Sequence, residues 1–239
     1  MQTDLTTYKN KLEENGFAII DKVFTDAEVK SIIKFIEENQ PNIESQSSKE
    51  VFAIRKLFNS LPGIKEKIFN TNVKCIIKQI FGKDYFITKG LYFDKPALSN
   101  WFVAYHQDIS IAVSNRSDSP LFKRWTVKGN VFGVEPPVNI LESVFTIRIH
   151  LDDCTSANGA LHVIPGSHKN GIQKPKDAIS NKQEEVICEL AKGGVMLMRP
   201  LLLHASHKST STQSRRVLHI EFSNVELPTP LRWAEKELF

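Results

Sequence analysis

The chain has 239 residues, with 31 basic and 27 acidic side chains and a formal net charge of +4. Its 41% hydrophobic and 24% charged residues exclude disorder, collagen and a coiled coil as the main architecture, and a chain of this length buries enough surface to fold without a disulfide or metal staple. So mild a charge gives no clustered basic face, so no nucleic-acid partner is expected. The three cysteines, Cys75, Cys154 and Cys188, are odd in number, far apart and form no CxxC pair. This argues against a disulfide framework or zinc ribbon and for a reducing cytoplasm. No signal peptide or membrane span is expected: the longest apolar run, 195–203, is broken by Arg199 and Pro200 and falls short of ~18 residues.

Residues 5–14 have helical composition and stop at Asn15-Gly16, a C-cap pair. A short strand is expected over 17–20. Thr25 and Glu28 form a capping box, followed by Val29, Ile32, Ile33 and Ile36 at helical spacing until Pro41. Residues 42–50 read as a polar loop, and Val73, Ile76, Ile77 and Ile80 mark another helix closed by Gly82. From residue 85 the pattern becomes β. Strands are expected over 85–93, 101–113, 143–151, 161–164, 185–190, 195–198 and 217–222, separated by turns such as Asn158-Gly159, Pro165-Gly166-Ser167 and Gly193-Gly194. The sequence shows no internal repeat and no Gly/Ser linker. The expected fold is mainly β with α: a double-stranded β-helix (jelly roll, cupin-like) whose N-terminal helices pack on one sheet. It forms one domain over 1–239, helical to about residue 84, with a β-barrel core over about 85–225.

Seven histidines are present, and the pattern matters more than the number. His106 and Asp108 stand two apart within a strand-like segment, and residues i and i+2 of a strand share a face. An imidazole and a carboxylate side by side are two arms of a 2-His-1-carboxylate site, which holds non-haem Fe(II) and leaves positions open. His204, delivered by the apolar run 199–203, supplies a third arm. Eleven residues later come Arg215 and Arg216. A guanidinium entering a barrel needs an anion, and its fork matches a carboxylate. Strand parity sends one of the pair inward and the other out to the surface. His219 and Glu221 share by parity the face of Arg215. Thr146, Arg148 and His150 alternate with apolar residues, so Arg148 is a candidate for the pocket. His162, His168 and His207 read as structural or exposed.

His106-x-Asp108, His204 and Arg215 follow the order and spacing of the phytanoyl-CoA dioxygenase family of Fe(II)/2-oxoglutarate-dependent oxygenases. The run Asn158-Gly159-Ala160-Leu161-His162-Val163-Ile164-Pro165-Gly166-Ser167-His168 resembles that family's NGAL-x-VIPGSH turn and strand. Gly193-Gly194-Val195-Met196-Leu197 and Leu202-Leu203-His204-Ala205-Ser206 resemble the segment bearing its distal histidine. The likeness covers about 85–223. It implies iron on His106, Asp108 and His204, 2-oxoglutarate anchored by Arg215, and a cosubstrate contact from Ser206. Many related oxygenases pair the arginine with a serine two residues on. Here position 217 is valine, so Ser206 or Thr146 is expected to supply that donor.

The implied activity is hydroxylation of a small organic molecule with O2, releasing succinate and CO2. Because Asp108 keeps the carboxylate that related halogenases lack, hydroxylation or a related oxidation is favoured over halogenation. A cupin-like metal- or ligand-binding protein without turnover is the alternative, and a metal-dependent isomerase or hydrolase on the same barrel is a third. The substrate and the oligomeric state stay open. Finally, 116–140 is expected to lack a regular element and to act as a lid over the pocket, with Phe122, Trp125 or Phe132 touching substrate.

Overall fold

The computed structural model describes residues 4–39, 52–99, 101–128, 131–174 and 184–239, so the polar stretch 42–50 lies outside it. Helix α1 (Thr6–Asn15) ends where Gly16, at φ 83°, donates to Leu12 O. Strand β1 (Phe17–Ile20) follows directly. Helix α2 (Asp26–Asn39) starts on the expected box: Thr25 N donates to Glu28 Oε2 at 2.7 Å and Glu28 N to Thr25 Oγ1 at 3.2 Å. Strand β2 (Phe52–Arg55) and the short helices α3 (Leu57–Ser60) and α4 (Ile64–Ile68) lead to α5 (Thr71–Ile80), capped by Asn70.

Among the described residues the β region forms three antiparallel sheets. The largest runs β1, β11 (Val195–Met198), β8 (Phe145–His150), β13 (Arg215–Ser223), β3 (Phe86–Lys95), β2. The second runs β10 (Val186–Cys188), β9 (Leu161–Val163), β12 (His204–Ser206), β4 (Val103–His106). The third runs β5 (Ile111–Val113), β7 (Val131–Glu135), β6 (Lys123–Lys128), followed by helix α6 (Val138–Glu142). This is the expected jelly roll.

Alternation along the large sheet separates its two faces. Ile147, Ile149, Leu218 and Ile220 join Leu12, Ile32, Ile36 and Ile77 in one buried cluster, so the helices cover the outer face. Each such side chain contributes about 1.5–3 kcal/mol through burial. The other parity turns Arg148, His219, Glu221 and Arg215 inward. Among the described residues no helix is long and apolar enough to cross a membrane.

Two expectations need correction. Segment 101–113 is two strands in different sheets, because the chain leaves the ladder after His106 and Asp108 N donates to Pro200 O at 2.8 Å. Segment 116–140 contains regular structure: β6 and β7 pair with each other and with β5.

After β13 the chain returns to clasp the sheet. Glu235 accepts from Gly90 N at 2.6 Å and from Phe58 N at 3.2 Å. Burial pushes its carboxyl from 4.5 up to about 7, against the pull of those amides. The folded state therefore holds the proton more tightly than the unfolded chain, and this group's contribution to stability falls as pH rises from about 4.5 to 7. Glu235→Gln removes the titration. The stability gap between wild type and variant is expected to shift against the wild type by about 1–3 kcal/mol across that window. Unfolding curves at pH 5 and 7.5 measure it, and a pH-independent gap contradicts the assignment.

Candidate metal centre

β12 lies beside β4 with His204 directly opposite His106, which brings distant parts of the chain to one point. The two imidazole centroids are 4.2 Å apart. His106 Nε2 lies 3.8 Å from Asp108 Oδ1, and His204 Nε2 lies 3.8 Å from Asp108 Oδ2. One ligand atom from each residue falls within 4.8 Å of the others, the one such group of three among the described residues. Ligands sharing a first-row cation at ~2.0–2.2 Å stand ~3 Å apart, so small side-chain torsions close this triangle.

The imidazoles are prepared for a metal. His106 Nδ1 faces Ala104 O and His204 Nδ1 faces Leu202 O, each at 2.9 Å. A carbonyl only accepts, so both Nδ1 atoms carry hydrogen and both Nε2 lone pairs are free. Burial pushes His204 down to about 4, which keeps it in the neutral, ligating form. Burial also raises the Asp108 carboxyl, but the surrounding His204, His219, Lys89 and His106 more than reverse this and hold it below the usual carboxylate range. Neutral imidazoles, a carboxylate and open space on one side form a donor set that fits Fe(II).

Asp108 reaches this centre from outside any strand, so the shared face inferred from strand parity is not what aligns it with His106. Its neighbour Gln107, which the sequence reading passed over, does that work. Gln107 Nε2 donates to Leu201 O at 2.7 Å and to Gly171 O at 2.9 Å, and its Oε1 accepts from Gln173 N. The HxD segment is thereby stapled to the chain that delivers His204. Ser167, from the PGSH turn, adds a second staple by accepting from Leu203 N at 2.9 Å.

An inner cavity of about 340 Å³ runs from the triad to Arg148, Ser206 and Arg215. A second cavity of about 350 Å³ opens on the other side of His106 and Asp108, walled by Leu91, Ile111 and Phe132 with Lys56 and Lys128. Both share Arg55, Lys89, Leu91, His106, Asp108 and Lys128.

Arg215 is buried, its Nη1 donates to Cys154 Sγ at 3.8 Å, and its Nε has no hydrogen-bond partner among the described residues. Arg216 turns outward and is bidentate to Asp152 at 2.7 and 2.8 Å. Ser206 lines the inner cavity, with its hydroxyl donating to Gly159 O at 3.0 Å. Gly159 has φ 89°, and a Cβ there would stand 2.6 Å from Lys95 Nζ. Thr146 shares the inward face of β8, but it lines neither cavity and its hydroxyl has no partner. Phe132 lines the outer cavity. Trp125 does not: its Nε1 donates to Phe122 O and its ring lies against Arg116. His162 faces away from the centre, bonded to Glu185 at 2.7 Å, with its ring tilted against that of His207 at 3.9 Å between centroids.

Comparison with known proteins agrees with this geometry. The family model described as phytanoyl-CoA dioxygenase (PhyH) matches residues 12–217. The iron/alpha-ketoglutarate-dependent dioxygenase ausU of Aspergillus calidoustus is 25% identical over 241 residues, covering 94% of this chain and 73% of that protein. Phytanoyl-CoA dioxygenase 1 of Oryza sativa subsp. japonica is 25% identical over 178 residues, covering 69% of this chain and 54% of that protein. Among solved structures, the non-heme alpha ketoglutarate dependent carbocyclase SnoK has the same fold at a TM-score of 0.72 and 14% identity, covering 92% of this chain and 84% of that one. EctD from S. alaskensis, with 2-oxoglutarate and 5-hydroxyectoine, does so at 0.68 and 14%, covering 90% and 74%. With the family model spanning most of its length, the chain belongs to the phytanoyl-CoA dioxygenase family.

Proposed function

We propose that this Fe(II)- and 2-oxoglutarate-dependent dioxygenase acts as one domain over residues 1–239, holds its iron on His106, Asp108 and His204, and hydroxylates a small organic molecule. One observation carries the reading: two free Nε2 atoms and a carboxylate converge at the junction of two cavities, one of which ends in a buried, carboxylate-free arginine. These three residues would hold Fe(II), which would supply O2 activation: one oxygen atom would go to succinate as 2-oxoglutarate loses CO2, and the other to a substrate C–H bond.

The residues of the chain supply binding, orientation and a dry chamber. Arg215 takes the distal carboxylate of the cosubstrate, exchanging an uncompensated buried charge for an ion pair. Ser206 joins it once its hydroxyl turns from Gly159 O. Phe93, Trp101, Val103 and Leu161 wall the inner cavity and exclude water. The outer cavity receives the substrate. Its Leu91, Ile111 and Phe132 suit an apolar skeleton, and Lys56 and Lys128 suit an acidic group on it. Asp108 fills the carboxylate place in the triad, which supports hydroxylation over halogenation. The cysteines are all free, which suits a reducing cytoplasm. Neither nucleic acid nor a membrane enters this reading.

The test is aerobic incubation of the iron-reconstituted protein with 2-oxoglutarate. Succinate and CO2 should form slowly and in equal amounts. Formation should accelerate when the correct molecule is found in a panel of organic acids and their amides. No succinate above the background of free iron would leave a cupin-like binding protein.

A further inference from the structure

The inner cavity is lined by three guanidiniums, Arg55, Arg148 and Arg215, more than a single distal anchor requires. Arg148 projects into it from β8, 8% exposed, and its Nε, like that of Arg215, has no partner. Among the described residues no carboxylate lies within ion-pair distance of either arginine. Arg148 is absent from the wall of the outer cavity, so it serves the cosubstrate side.

Its aim is set by a line of buried side chains across three strands. Arg148 Nη1 donates to His219 Nδ1 at 2.9 Å. An arginine N–H only donates, so Nδ1 accepts and the imidazole hydrogen sits on Nε2. That Nε2 donates to Glu221 Oε1 at 3.2 Å, and Glu221 Oε1 also receives Lys89 Nζ at 2.6 Å. The strand registers match: Arg148 stands opposite His219, and Glu221 opposite Lys89. Lys89 and Glu221 neutralise each other and His219 is neutral in this tautomer, so Arg148 has no ion-pair partner in this line of side chains. Arg215 lines the same cavity and repels it, and the Asp108 carboxylate at the metal centre attracts it. Two buried like charges lining one cavity call for an anion that both can reach.

We propose that Arg148 is a second cosubstrate-binding residue, sharing the distal carboxylate of 2-oxoglutarate with Arg215, and that His219 is the positioning residue that aims it. The inference rests on the reading of the inner cavity as the cosubstrate chamber. It assigns His219 and Glu221 a supporting role beside the metal centre.

The experiment titrates the Co(II)-loaded protein, without oxygen, with 2-oxoglutarate and with 2-oxovalerate, which has the same chain length and no distal carboxylate. Calorimetry gives Kd for each. Arg148→Gln should weaken 2-oxoglutarate roughly 10–100-fold, the loss of a charge-assisted contact, and leave 2-oxovalerate unchanged. Arg148→Lys, which keeps the charge and loses the fork, should fall between, and it stands in if the glutamine variant does not fold. His219→Leu should weaken 2-oxoglutarate alone. His219→Gln should restore it, because an amide can accept from Arg148 and donate to Glu221. Equal weakening of both acids, or none, overturns the inference. Arg215→Gln separates the levels. If it weakens 2-oxoglutarate while Arg148→Gln does not, only the role of Arg148 is lost; if neither does, the chamber assignment is lost too.

Discussion

His204→Ala protein should be purified with far less than one bound iron per chain, and its succinate formation should fall well beyond the ~10–100-fold that loss of an outer hydrogen-bonding partner costs. The residue supplies a neutral Nε2 whose tautomer is fixed by Leu202 O, and no other described histidine stands near enough to replace it. His162→Ala is the matched control. That ring points away, toward Glu185, so iron content should be unchanged. Metal analysis of both proteins after equilibration with ferrous iron decides the matter. Stoichiometric iron in His204→Ala would move the centre elsewhere.

The second large effect concerns the two adjacent arginines. Arg215→Ala should weaken 2-oxoglutarate binding by about 2–5 kcal/mol, the range for removing one partner of a desolvated charge pair. Arg216→Ala should leave that affinity nearly unchanged. Its cost should appear in stability, about 1–3 kcal/mol, because Asp152 loses a bidentate partner at 2.7 and 2.8 Å. Paired binding and unfolding measurements on the two variants test this. The opposite pattern would exchange their roles.

Adjacent residues of opposite fate were legible because β13 is regular: a period of two on a long strand fixes each side chain to one face. The same logic placed His219 and Glu221 beside Arg215 and separated Arg148 from Ile147 and Ile149. It failed for Asp108, where the chain leaves the strand after His106. The alignment there comes from the Gln107 amide and a backbone bond to Pro200, both set by a segment nearly a hundred residues away. No local pattern encodes such a staple. The β6–β7 pair was hidden by its composition. Lys123, Arg124, Thr126 and Lys128 give a largely exposed strand, and exposed strands lack the apolar alternation that marks a core face. β12 escaped because three residues are too few to show a period. Helices α3 and α4 escaped for the same reason, at four and five residues. The Glu235 clasp depends wholly on tertiary structure, since its carboxylate caps amides far earlier in the chain.

The pairing of His106 with His204 has a mechanical consequence. β4 is the hem of the four-stranded sheet, four residues long, and joined to β12 through an irregular register. An ion gripped from both strands is a rivet through that hem. With the ion stripped by a chelator, the hem hangs on a few hydrogen bonds, and a loosened edge offers its free N–H and C=O groups to any strand that collides with it. Chelator-treated protein is therefore expected to aggregate faster on storage than iron-loaded protein, which light scattering measures. Reloading before concentration is the simple safeguard against clumping.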